Sequence, residues 1–192
     1  MSDTPRSTRG RGLLFALGFL VLAAGAGYVA MNLSQKTEVA TMDGITSEVY
    51  QRFPEVEQLA PEDLETRLAS AKPPLIIDAR TEAEYAVSHI KDAVRVDASA
   101  KPDEVVAKVG KEAAGRDVVV YCSVGMRSST LASSSQDALV KAGATSVSSL
   151  VGGVYGWHNA KRPLVDAKGA TDFIHPNSPQ SGKLLTRQDM VK

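Results

Sequence analysis

Val118-Val119-Val120-Tyr121-Cys122-Ser123-Val124-Gly125-Met126-Arg127-Ser128-Ser129 is the stretch on which the fold turns. Asp117 to Tyr121, with an unbroken β-branched and aromatic run from Val118, is the strongest strand signal in the chain. A strand without polar alternation is buried on both faces, which belongs to a parallel sheet under helices. A glycine-containing loop follows, and then a helix from Arg127 to Ala142, with Leu131, Ala138, Leu139 and Ala142 on one face and Gly143 closing it. The sole cysteine, Cys122, therefore stands where strand becomes helix. In open α/β sheets this carboxyl edge is where ligands bind. The amides of a tight loop and of a helix start lack intrahelical partners, so a loop curled around Cys122 favours negative charge on its sulfur. Arg127 adds a formal positive charge at the rim, suited to an anionic substrate, and Ser128 adds a hydrogen-bond donor. The competing reading is that a lone cysteine is a small buried hydrophobe.

Outward from this stretch, strands and helices alternate. The expected strands are Val56 to Leu59, Leu75 to Ile77, Ala93 to Val96 and Ser146 to Val151. Between them lie expected helices that start at Pro61, at Glu82 (to Val87), at Pro102 (to Val109) and at Tyr155 (to Lys161). Pro61 and the acids behind it suit a helix start. This pattern is an α/β domain with a buried parallel sheet flanked by helices. The tail from Arg162 is polar and proline-containing, and is expected along the surface.

The chain has 192 residues, with 22 Lys+Arg against 22 Asp+Glu. The zero balance argues against a nucleic-acid binder with a general basic surface. One cysteine excludes an intrachain disulfide, a CxxC pair and a cysteine-rich zinc site, and no metal site is expected. The expected organisation is a basic segment (1–12), an apolar segment (13–33), a linker (34–53) that ends in a short helix before Pro54, the α/β domain (54–164) and a tail (165–192). The 21 residues of 13–33 contain no charge. As a helix they would span about 31 Å, near the ~30 Å hydrocarbon core. Arg6, Arg9 and Arg11 precede them, so the positive-inside rule predicts a single-pass protein with a cytoplasmic N-terminus and the domain on the far, periplasmic or extracytoplasmic side. A cleaved secretory signal, giving a secreted or periplasmic protein, and an organelle import signal are the alternatives.

Tyr-Cys-Ser-Val-Gly-Met-Arg-Ser-Ser resembles the active-site loop of rhodanese-domain sulfurtransferases. Asp78-Ala79-Arg80 with Glu84-Tyr85, His89-Ile90 with Ala93, and Gly152-Gly153 with Gly156-Trp157 resemble further motifs of that family in the same order. Ser88 and Asp92 stand where the family commonly has glycine. The resemblance spans about residues 54–164 and implies a five-stranded parallel sheet with helices on both faces. It also implies a Cys122 nucleophile that takes sulfur from a small anionic, thiosulfate-like donor or a persulfide and passes it to a thiol or cyanide acceptor. No cofactor is implied. Substrate binding falls to Ser123, Val124, Gly125, Met126, Arg127 and Ser128, with Asp78 and Arg80 as supporting residues. Since no second thiol exists in the chain, the acceptor must be a small molecule or a partner protein. Related cell-cycle phosphatases carry a loop one residue longer, sized for phosphate, which sets phosphate hydrolysis behind sulfur transfer. A binding or sensing module without catalysis is the other alternative. His89, Trp157 and His158 read as packing residues.

Overall fold

The computed structural model describes residues 40–192. Five parallel strands form one sheet in the order β1-β5-β4-β2-β3. They are β1 (Glu57–Leu59), β2 (Leu75–Asp78), β3 (Val94–Arg95), β4 (Asp117–Tyr121) and β5 (Ser146–Leu150). β4 is central, in register with β2 through Leu75↔Val118 and with β5 through Val118↔Val147. Val118 to Tyr121 are all buried, as their unbroken apolar run requires.

Successive side chains of a strand point to opposite faces, so β4 splits its residues between two cores. Val118, Val120 and Cys122 face one core, with α1 (Met42–Arg52), α4 (Pro102–Ala113) and α5 (Met126–Lys141) packed on it through Val49, Val105, Val109, Leu131 and Leu139. Val119 and Tyr121 face the other, with α2 (Pro61–Leu68) and α6 (Gly153–Asn159) packed through Leu64, Val154, Tyr155 and Trp157. The remaining sheet helix, α3 (Glu82–Val87), begins with a capping box between Thr81 and Glu84.

The expected elements are present, with informative differences at their ends. α6 begins at Gly153 rather than Tyr155, because Gly152 and Gly153 both take positive φ and turn the chain early. α4 continues past Val109 to bury Ala113. Asp92 adopts φ 61°, the left-handed conformation a glycine would take there, and a short polar side chain tolerates it. The tail is more than a surface strip. β6 (Leu164–Asp166) and β7 (Gly169–Thr171) form an antiparallel hairpin, and α7 (Pro179–Gly182) follows. Ile174 and Leu185 are inserted into the second core.

The expected single-pass placement needs correction. Among the described residues no helix is long and apolar enough to cross a membrane. The longest, α5, has 16 residues and carries several serines. It spans about 24 Å against a hydrocarbon core of ~30 Å. The segments 1–12 and 13–33 that prompted that expectation, and its signal-peptide and import alternatives, lie outside the described residues.

Candidate active site

The loop between β4 and α5 closes around the Cys122 sulfur. Gly125, the residue before α5, has φ 109°, a conformation that suits glycine. This turn swings its amide back so that Gly125 N–H donates to Cys122 Sγ at 3.2 Å. The Ser128 hydroxyl, one helical turn on, lies 3.6 Å from the same sulfur. It also reaches the Gly125 carbonyl at 3.0 Å and the Ser149 hydroxyl of β5 at 2.9 Å. Cys122 is 1% exposed, and Ser128 and Ser149 are fully buried. Charge on the sulfur is thus met by an amide, a hydroxyl and the start of a 16-residue helix.

The six loop residues expected to bind substrate do different things. Gly125 and Ser128 face the sulfur. Ser123 and Arg127 instead form a clamp on Glu84. Arg127 donates two bonds to the carboxylate, at 2.8 and 3.1 Å, and one to Ser123 Oγ at 2.9 Å. Ser123 Oγ donates to Glu84 at 2.9 Å. Val124 packs toward the second core and Met126 toward the first. Arg127 therefore spends its planar fork on a carboxylate of the protein itself.

Glu84 stands in the sequence as part of a family motif without an assigned role, and the structure places it at the centre of the clamp. Burial alone would raise its carboxyl, but the bonds from Arg127 and Thr81 outweigh that and hold it at about 2. Burial works against the Arg127 charge, but the Glu84 carboxylate and the nearby Cys122 sulfur together raise it above its ordinary value. The T-x-x-E pattern of Thr81 and Glu84 announces a helix cap. Nothing local announces a partner 43 residues away.

Asp78 and Arg80 sit behind the loop. Their side chains are fully buried and paired at 2.6 Å. Arg80 also donates to the Ser88 carbonyl at 2.6 Å, and the Tyr121 hydroxyl donates to Asp78 at 2.6 Å. This pair braces the residue that precedes Cys122. Burial works against the Arg80 charge, but Asp78 more than compensates and raises it. Burial and the Asp78 charge push the Tyr121 phenol up.

The start of α6 holds the loop from the other side. Val154 N–H donates to the Cys122 carbonyl at 2.8 Å and Tyr155 N–H to the Ser123 carbonyl at 3.0 Å. A Cβ at Gly153 would collide with the Cys122 carbonyl and stand 2.8 Å from that of Ser123. Only glycine permits this approach. Tyr155, buried beside the Glu84 charge, is pushed up to about 12.

The expected packing residues are tied into the fold. His89 stacks on Tyr85 at 3.8 Å, Trp157 Nε1 donates to the Pro163 carbonyl at 2.9 Å, and His158 pairs with the Asp172 carbonyl at 2.9 Å. Among the described residues no group of three or more His, Cys, Asp or Glu side chains is placed to hold a metal ion.

Residues 60–160 match the rhodanese-like domain family. The chain is 32% identical over 114 residues to a protein named sulfurtransferase from Allochromatium vinosum, which covers 59% of this chain and 99% of that relative. Among solved structures, a Bacillus halodurans protein aligns over 64% of this chain and 88% of its own, with 16% identity and a TM-score of 0.48. A thiosulfate sulfurtransferase from Pseudomonas aeruginosa aligns over 63% of this chain and 22% of its own, with 23% identity and a TM-score of 0.47. With a family match over more than half of its length, ordered around a cysteine at the carboxyl edge of the sheet, this chain belongs to the rhodanese-like domain family.

Proposed function

We propose that the protein is a sulfurtransferase that carries sulfur on Cys122. The observation that supports this best is the buried Cys122 Sγ, held 3.2 Å from the Gly125 amide and 3.6 Å from the Ser128 hydroxyl in a loop with four residues between Cys122 and Arg127. In the first step the Cys122 thiolate attacks the outer sulfur of a small anionic donor of the thiosulfate type. The Sγ–S bond forms, the donor's S–S bond breaks, and its electron pair leaves with sulfite. In the second step an acceptor attacks the outer sulfur of the Cys122 persulfide. Cyanide leaves as thiocyanate, or a thiol leaves as a persulfide, and the thiolate is restored. Such a covalent intermediate gives ping-pong kinetics. Gly125 and Ser128 offer hydrogen bonds to the sulfur, while Glu84, Ser123 and Arg127 keep the loop in shape. No second cysteine exists in the chain to take the sulfur, so the acceptor is a small thiol or a partner protein.

The test is the intact mass of the full chain before thiosulfate, after thiosulfate and after cyanide, beside a Cys122→Ser variant. One sulfur atom gained by the wild type alone, and lost to cyanide, is the expected result. A thiol that alkylates readily yet gains no sulfur from thiosulfate or from a small-molecule persulfide would overturn the proposal.

A further inference from the structure

An anionic donor needs a cation near Cys122, and the loop arginine is already committed. Arg127 lies on Glu84 at 2.8 and 3.1 Å and on Ser123 at 2.9 Å, so its charge is balanced within the protein. Arg95, at the carboxyl end of β3, is half-buried and also forms no ion pair among the described residues. Arg52 differs from Arg127 in having no carboxylate partner, and from Arg95 in its contact with Met126 of the loop. It is the last residue of α1, is exposed, and has no carboxylate within ion-pair distance among the described residues.

α1 brings Arg52 to the loop. Val49 lies 3.7 Å from the position a Gly125 Cβ would take, and Met42 lies 3.1 Å from the equivalent point at Gly152. Val49 and Phe53 belong to the same buried apolar cluster as Cys122, and Met126 packs against it. The Arg52 guanidinium rests between two of these groups. Its Nη1 is 4.0 Å from Met126 Sδ, and its carbon is 5.7 Å from the Phe53 ring centroid. Met126 is the residue after Gly125, whose amide touches the sulfur. A cation resting on a thioether and an aromatic ring keeps its outer N–H donors free for an anion.

Building on the sulfurtransferase reading, we infer that Arg52, rather than Arg127, supplies the charge that draws an anionic donor to Cys122. Arg52 lies outside residues 60–160, the span that matches the family. Donor selection therefore rests on a helix that precedes the matched domain.

The test compares two alkylating reagents of similar size on the full-length protein, anionic iodoacetate and neutral iodoacetamide, in the wild type, Arg52→Gln and Arg52→Lys. Loss of one nearby charge is expected to slow iodoacetate about three- to tenfold and iodoacetamide less than about twofold. Arg52→Lys restores the ratio, and rising salt narrows it in the wild type. Alkylation needs only a reactive thiol, so this arm reads the field at Cys122 whether or not sulfur moves. A shifted ratio in a protein that never loads sulfur would sink the sulfurtransferase reading and leave a charge-selective site. An unshifted ratio overturns the role of Arg52. The kinetic arm follows thiosulfate with cyanide. There KM is expected to rise about three- to tenfold in Arg52→Gln, with kcat within about twofold. An unchanged KM also overturns the inference. A thiol inert to both reagents and to thiosulfate overturns it together with the reading beneath it.

Discussion

Five donor contacts surround the Glu84 carboxylate: two from Arg127, one from Ser123 and two from Thr81. They let a side chain with 2% exposure stay ionised down to about pH 2. The folded value lies below the ordinary 4.5, so the pair stabilises the fold above that pH and the contribution disappears as pH falls from 4.5 toward 2. Urea titrations from neutral pH down through that window are expected to show a steep acid limb in the wild type and a shallower one in Glu84→Gln. At neutral pH that variant is expected to lose about 1–3 kcal/mol, part of the Arg127 charge being recovered by solvent. Asp78 presents the buried extreme. Asp78→Ala leaves the Arg80 cation without its partner in the interior, and a loss of about 3–5 kcal/mol in the same titration is expected. These two carboxylates differ in how visible they are from sequence. Asp78 and Arg80 are two residues apart at a strand end, so their pairing can be guessed. Glu84 stands out in the sequence only as a motif residue, because its role as the clamp's carboxylate depends on a partner far along the chain.

At the scale of elements, the loop is held between three helix ends. α5 starts from it, α6 donates two amides to its carbonyls, and α1 lies against its glycine. Gly153→Ala is expected to force α6 off the loop and cost about 3 kcal/mol or more, read as a lower midpoint of thermal unfolding. Gly156→Ala, whose added Cβ would meet the Val151 carbonyl at 3.4 Å, serves as the milder comparison. The hydrophobic run of β4, the Gly125 turn and the small residues before Tyr155 all speak locally, which is why the strand-loop-helix unit can be read directly. α1 does not. Only Val49 of its eleven residues is buried, so its amphipathic signal is faint and its partners are remote in sequence. The corrected membrane placement has another cause. Hydropathy and flanking charge describe residues 13–33 alone, and no described helix is long and apolar enough to cross a membrane.

For the molecule as a whole, the sheet separates two cores and the tail completes one of them. Ile174 and Leu185 are at most 2% exposed in the core that also holds Trp157 and Tyr155. Ile174→Ala is expected to cost about 2–4 kcal/mol in chemical denaturation while leaving the rate of Cys122 alkylation within about twofold at low temperature. A tail judged by its prolines and charges looks dispensable, because two apolar residues spaced along a polar segment leave no periodic mark. The strand order has a consequence for how the chain becomes a protein during synthesis. Among the described residues β1 emerges before every other strand, yet its only neighbour in the sheet is β5, with Glu57 opposite Ser148. It must wait until almost the whole sheet has been made. The described strand made first thus pairs with the last strand of its sheet to be made. A nascent chain therefore passes through a stage in which β2, β3 and β4 are made and β1 still has no partner strand.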